Sequence, residues 1–208
     1  MTCTGHFRDV MSKVATLVWA DDHAAQLVEF AISLPLLVVF VVGIFDFSGA
    51  YTLKQKLTNV AETAARTAAS DPSGDLVSPS TPQPASVLDA YDLIHNYLTA
   101  NNMRDCGITP TGSPVGLTWT FTGNAGGCPP GGLTIVINRG YYFDSTAATT
   151  PTTNCSTPTL AGQTAVVATC VSISYAYAWQ FGRAASLLGR TIILPNTINA
   201  SAIVMNEH

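Results

Sequence analysis

From Leu27 to Leu53 the chain is apolar at almost every position, and Phe30 to Phe45 is nearly free of polar groups. About twenty such residues in a helix cross a ~30 Å hydrocarbon core, so this run demands a single membrane-spanning helix. An acid, Glu29, stands at its mouth. A carboxylate costs roughly 2.5–3.5 kcal/mol at the centre of an inserted helix and less at its edge. Glu29 is therefore either an interfacial residue or a recognition element. Pro35, inside the run, removes one backbone bond to Ala31 and predicts a kink. Gly43 and Gly49 offer small surfaces where another helix can approach closely.

The helix is expected to outlast the membrane. Leu53, Leu57, Val60, Ala61, Ala64, Ala65 and Ala68 recur at spacings of three and four, an apolar stripe of helical period. Lys54, Lys56, Glu62 and Arg66 take the other faces. Ser70-Asp71-Pro72 ends it, since Pro72 disfavours continuation. Ala25 to Ser70 makes a helix of about 46 residues, ~69 Å at the usual rise, half in lipid and half outside. Ahead of it, residues 1–24 form a short mixed leader. Residues 71–85 are a Pro/Ser linker, and residues 86–208 form the exported domain. Within that domain Ser86–Leu98 reads as an amphipathic helix. Val115–Thr122, Leu133–Asn138, Gln163–Phe181 and Asn199–Asn206 read as strands, the third alternating cleanly from Val171 to Trp179. The expected class is α+β: a long N-terminal transmembrane helix, then a small domain with one helix and an antiparallel sheet.

Charged residues are only 11% of the chain and the net charge is −4, without a basic stripe. Nucleic acid is thus not an expected partner. Cys106, Cys128, Cys155 and Cys170 all follow the apolar run, an even set that suggests two disulfides in an oxidising compartment. Three connectivities are formally open. Sequential pairing, Cys106 with Cys128 and Cys155 with Cys170, is preferred because each pair brackets a Gly/Pro/Thr-rich excursion. Closing such loops contributes roughly 3 kcal/mol apiece in the chain-entropy picture.

The stretch Ala24-Ala25-Gln26-Leu27-Val28-Glu29-Phe30-Ala31-Ile32-Ser33-Leu34-Pro35, with the later Gly43-Ile44-Phe45-Asp46-Phe47 box, resembles the TadE-like family of tight-adherence pilus systems. These are minor pseudopilins, related in N-terminal design to type IV pilins. The Ala-rich segment Asn59–Ala69 and the closing Ala200–Glu207 also look like the family's pattern. Close likeness covers about residues 24–70. The resemblance implies cleavage of the leader by a prepilin peptidase between Ala24 and Ala25, leaving Glu29 as the fifth residue. It implies that Glu29 meets the free amine of a neighbouring subunit, each charge otherwise standing unpaired in low dielectric. Pro35 and Asp46 are the other residues it marks for assembly. Ala24 stands where the family has Gly, and Asp46 where Glu is more usual. Simple positive-inside counting points the other way, with Arg8 and Lys13 against Asp9, Asp21 and Asp22 in the leader while Lys54 and Lys56 lie just beyond the other end. The resemblance places the N-terminus in the cytoplasm and the cysteine-rich domain outside the bacterial inner membrane, or in the pilus. The implied partners are the membrane, other pilus and pseudopilin subunits, the assembly platform and the peptidase.

Other readings compete. A binding or adhesion module on a plain anchor needs no processing, and leaves Glu29 an interfacial acid. For Asp46, a helix-end residue at the outer interface stands beside a subunit contact. Ser48-Gly49-Ala50 is a small-x-small pattern after an apolar run, but a signal peptide ending there would be too long. No enzyme is expected. His6, His23, His95 and His208 lack metal-ligand spacing, and no Gly-x-Ser-x-Gly elbow occurs. Asp89, Asp92 and His95 read as a solvated helix face. Gly126–Gly132 carries no Lys and opens no helix, so it reads as a stapled turn and not a phosphate cradle. No cofactor is called for. Tyr141, Tyr142, Tyr175, Tyr177 and Trp179 read as sheet-face core.

Overall fold

The computed structural model describes residues 22–76, 83–125, 127–144, 154–156, 165–182 and 194–207. Most of the leader, with Cys3 and His6, lies outside them, as does His208. The described elements run as helix α1 (Asp22–Ser70), a 3-10 turn (Ser73–Leu76), helix α2 (Ala85–Ala100) and strands β1 (Ser113–Val115), β2 (Thr118–Gly123), β3 (Leu133–Asp144), β4 (Ala165–Ala176) and β5 (Thr197–Met205). The class is α+β. The chain divides into two compact units, residues 1–45 with 180–191 and residues 46–179 with 192–208.

In the first unit α1 runs without a break through Pro35. Thirteen large apolar side chains between Leu27 and Phe47, the last two residues further along α1 than the unit's edge, stay exposed. Moving each from water to hydrocarbon is worth ~1.5–3 kcal/mol, a gross gain on the order of 20–40 kcal/mol for the run. The two carboxylates at its edges, Glu29 and Asp46, costing at most ~3 kcal/mol each, cannot outweigh that. This is one helix long and apolar enough to cross a membrane. The ring of Phe181 closes on Gly43, where a Cβ would sit 3.0 Å from two ring carbons. The small surface read as a site for another helix is therefore occupied by an aromatic of the same chain.

The second unit is built on a five-stranded antiparallel sheet in sequence order, β1-β2-β3-β4-β5. Cross-strand register aligns Trp119 with Ile137, Phe121 with Ile135, Ile135 with Ile173, Ile137 with Val171 and Ile173 with Ala200. These form one apolar face, because side chains of period two share a side. The stripe Leu57, Val60, Ala61, Ala64, Ala65 and Ala68 of α1 joins that core, with Val87, Ala90, Tyr91, Ile94 and Leu98 of α2. The repeated alanines let a helix lie close over a sheet of Ile and Phe, at little cost in side-chain entropy.

α2 starts on Pro84, whose carbonyl accepts from the N–H groups of Val87 and Leu88. It ends in a Schellman arrangement. Asn102 sits at φ 54° and donates to the Thr99 carbonyl, and Met103 N donates to Leu98 O at 2.8 Å. Asn is the non-glycine residue best suited to that left-handed cap. Bonds Cys106–Cys128 and Cys155–Cys170 each have a Cα–Cα separation of 5.6 Å. The first ties the loop after α2 to the β2–β3 connection. The second belongs to a small cluster with Tyr141 and Ala168 on the other face of the sheet.

All four expected strands have different bounds: β5 runs Thr197–Met205 where Asn199–Asn206 was expected, and the other three differ as follows. Val115–Thr122 is not one strand but a hairpin, with Val115 opposite Thr118 and Gly116 at φ 60° in the two-residue loop. β3 runs six residues beyond Asn138 because the ladder shifts register between Asn138 and Tyr141 and then resumes. That bulge leaves Arg139 on the helix-covered face and swings Tyr141 to the opposite one. β4 stops at Ala176, so Tyr177 and Trp179 lie past the strand.

Candidate assembly helix and its clamp

Ala24 and Ala25 lie in the first turns of α1 and Glu29 one turn on. Glu29 is exposed and makes no hydrogen bond or ion pair among the described residues. The hydroxyl of nearby Ser33, by contrast, is internally satisfied. Ser33 Oγ donates to the Phe30 carbonyl at 3.2 Å, a back-bond that hides a hydroxyl in an apolar setting. Pro35 lacks an N–H, so the Ala31 carbonyl forgoes its usual helical donor. Glu29 and Pro35 thus share one stretch of exposed apolar helix without touching.

Asp46 behaves differently. It is only 8% exposed. The Tyr177 hydroxyl lies 3.0 Å from Asp46 Oδ1 and 3.1 Å from its carbonyl oxygen. One phenolic proton serves both acceptors. Burial, then the bond to Asp46 and its charge, push Tyr177 up to about 12. Gly49, one turn along, makes the approach possible: a Cβ there would lie 3.1 Å from the Tyr177 hydroxyl. Phe47 packs against Trp179 at 5.1 Å between centroids, and Tyr177 meets Trp179 edge-on at 4.9 Å. The Trp179 indole N–H donates to the Pro195 carbonyl. The segment after β4 is therefore clamped to α1 where its apolar run ends. Of the aromatics read as sheet-face core, Tyr141 is buried in the sheet's second cluster and Tyr175 packs against the main core; Tyr177 and Trp179 also pack against that core, but from beyond the strand and on the helix.

At the other end of α1 stands a residue that no motif announced. Arg139 is 1% exposed, and its guanidinium donates to the carbonyls of Ala68 and Asp71 and to Thr169 Oγ1. These carbonyls belong to the last turn of α1 and the residue after it. Arg139 thus caps the helix with charge of the favourable sign. Thr169 Oγ1 donates in turn to Asn206 Oδ1 at 2.6 Å, and Glu207 N reaches the Ala69 carbonyl. The closing strand is pinned to the same helix end. The only sequence signal was a lone Arg flanked by Gly140 in a strand with no other basic residue.

His95 approaches Asp105 at 3.3 Å and stacks on Tyr91. Asp105 Oδ1 accepts from Gly107 N–H, which holds its carboxyl below the usual range, with His95 adding to the effect. Asp89 and Asp92 are exposed. No group of three potential metal-ligating side chains occurs among the described residues.

These features define a class: an α+β protein on one long apolar helix, with an exposed acid near the start of the run and a clamped acid near its end. Residues 24–66 match the family model described as TadE-like protein. The matched stretch includes Glu29, Pro35 and Asp46. No curated protein and no solved structure matches the chain.

Proposed function

We propose that this protein is a minor pseudopilin of a tight-adherence pilus, anchored in the bacterial inner membrane by α1, with its sheet domain outside. It has no enzymatic role and supports pilus assembly. Prepilin peptidase removes the leader between Ala24 and Ala25. Glu29, exposed on an apolar helix and matched by the family model, carries the reading. As the fifth residue of the processed chain it receives the N-terminal amine of a neighbouring subunit at the assembly platform. Each of the two charges is costly in lipid by itself, so pairing favours docking in register. Pro35 leaves a carbonyl free to bend toward that neighbour. The mass of the membrane-purified protein tests processing: an N-terminus at Ala25 is expected, and one at Met1 or Tyr51 refutes the prepilin reading. Glu29→Ala should abolish co-purification with other pilus subunits; unaffected pili would leave α1 as a plain anchor for a binding module.

A further inference from the structure

The aromatic clamp at the end of the apolar run has a second use. Leu27 to Phe47 as a helix spans roughly 30 Å, the thickness of a hydrocarbon core. The run contains neither Trp nor Tyr. Immediately at its end come Phe47, Tyr51, Tyr177 and Trp179, the first two half or more exposed. Trp and Tyr concentrate at the membrane–water boundary because each joins an apolar body to a polar tip. Here the tips of Tyr177 and Trp179 are already bonded within the chain, to Asp46 and to the Pro195 carbonyl. Both rings are half-buried against the core, and what remains is their outer surface; Asp46 is sheltered by the same contacts.

We infer that Phe47, Tyr51, Tyr177 and Trp179 form a lipid-binding collar that seats the sheet domain on the outer headgroup–acyl boundary of the bilayer. The occupant is lipid and not a second copy of the chain, because Phe47 closes the exposed apolar run of α1 and Tyr51 follows it one turn on along the same helix, both exposed. The collar rests on the membrane anchoring proposed above. It fixes how deep α1 sits and therefore which residues leave the hydrocarbon.

The test uses the full chain reconstituted into phosphatidylethanolamine/phosphatidylglycerol vesicles whose lipids carry bromine either near the headgroup or near the chain ends. Trp19 and Trp119 are common to parent and variant, so the emission lost in Trp179→Phe isolates Trp179. Stronger quenching of that difference by shallow than by deep bromine is expected, unchanged as protein is diluted in lipid. Tyr51→Trp, at an exposed position that should tolerate it, is expected to show the same shallow preference. A difference signal quenched by neither lipid overturns the collar, and so does one quenched only after dilution, which assigns the patch to a second copy. Alkaline extraction separates the two readings: loss from the vesicles overturns the anchor itself, and retention without quenching overturns the collar alone.

Discussion

Replacing Arg139 should be the most damaging single change in the sheet domain. The side chain is 1% exposed and donates to the carbonyls of Ala68 and Asp71 and to Thr169 Oγ1. Hydrogen bonds from a charged donor contribute ~1.5–3 kcal/mol each. Taking a guanidinium out of water costs several kcal/mol, which offsets much of that sum. The removal is nevertheless expensive, because the helix-end carbonyls then lie buried without their donor at ~1–3 kcal/mol each. Arg139→Met keeps the stem and removes both the charge and the donors, so it isolates the carbonyl cost: a loss of ~2–5 kcal/mol follows. Arg139→Ala adds a cavity and should lie at or above the upper end. A domain of this kind holds only ~5–15 kcal/mol in total. Pulse proteolysis of the detergent-solubilised chain across a urea series gives the shift in midpoint. Arg139→Met within ~0.5 kcal/mol of the parent, the range of an ordinary surface change, would refute the capping argument.

Two further outcomes follow from the same geometry. Asp105 is held low chiefly by Gly107 N–H, so its contribution to stability is present above its unfolded value, about 4, and disappears as pH falls through the folded value. Urea midpoints of the parent and of Asp105→Asn should therefore differ at neutral pH and converge in acid; a gap that persists unchanged would contradict the assignment. Gly49→Val places side-chain atoms against the Tyr177 hydroxyl, 3.1 Å from a Cβ position. The phenol should then titrate below about 12, back toward ~10, in difference absorbance against Tyr177→Phe. Because a raised phenol stabilises below its unfolded value and loses that contribution as pH rises through the folded one, the variant should also lose stability at neutral pH. A Tyr177 that still titrates near 12 would dissociate Gly49 from the clamp.

Sequence by itself determined the elements whose cause is local. The apolar run from Leu27, the alanine stripe down to Ala68 and the stop at Pro72 are statements about consecutive residues, and α1 ends at Ser70 as they require. The alternation from Val171 to Tyr175 likewise gave a strand face, since period two depends on backbone geometry alone. The start of α1 at Asp22 and the hairpin inside Val115–Thr122 were harder to read, the latter because one glycine at φ 60° decided it. Tertiary structure alone decided the partners. Asp46 finds Tyr177 across 131 residues, and Arg139 finds Ala68 across 71. No periodicity reports a contact at that range, because it arises only when the sheet has folded onto the helix. A lone Arg beside a glycine reads as an exposed strand residue until the bulge at Asn138–Tyr141 shows what it caps. Gly43 and Gly49 looked like helix-packing surfaces, since a missing side chain announces space but not its occupant. The fold filled both with aromatics of the same chain.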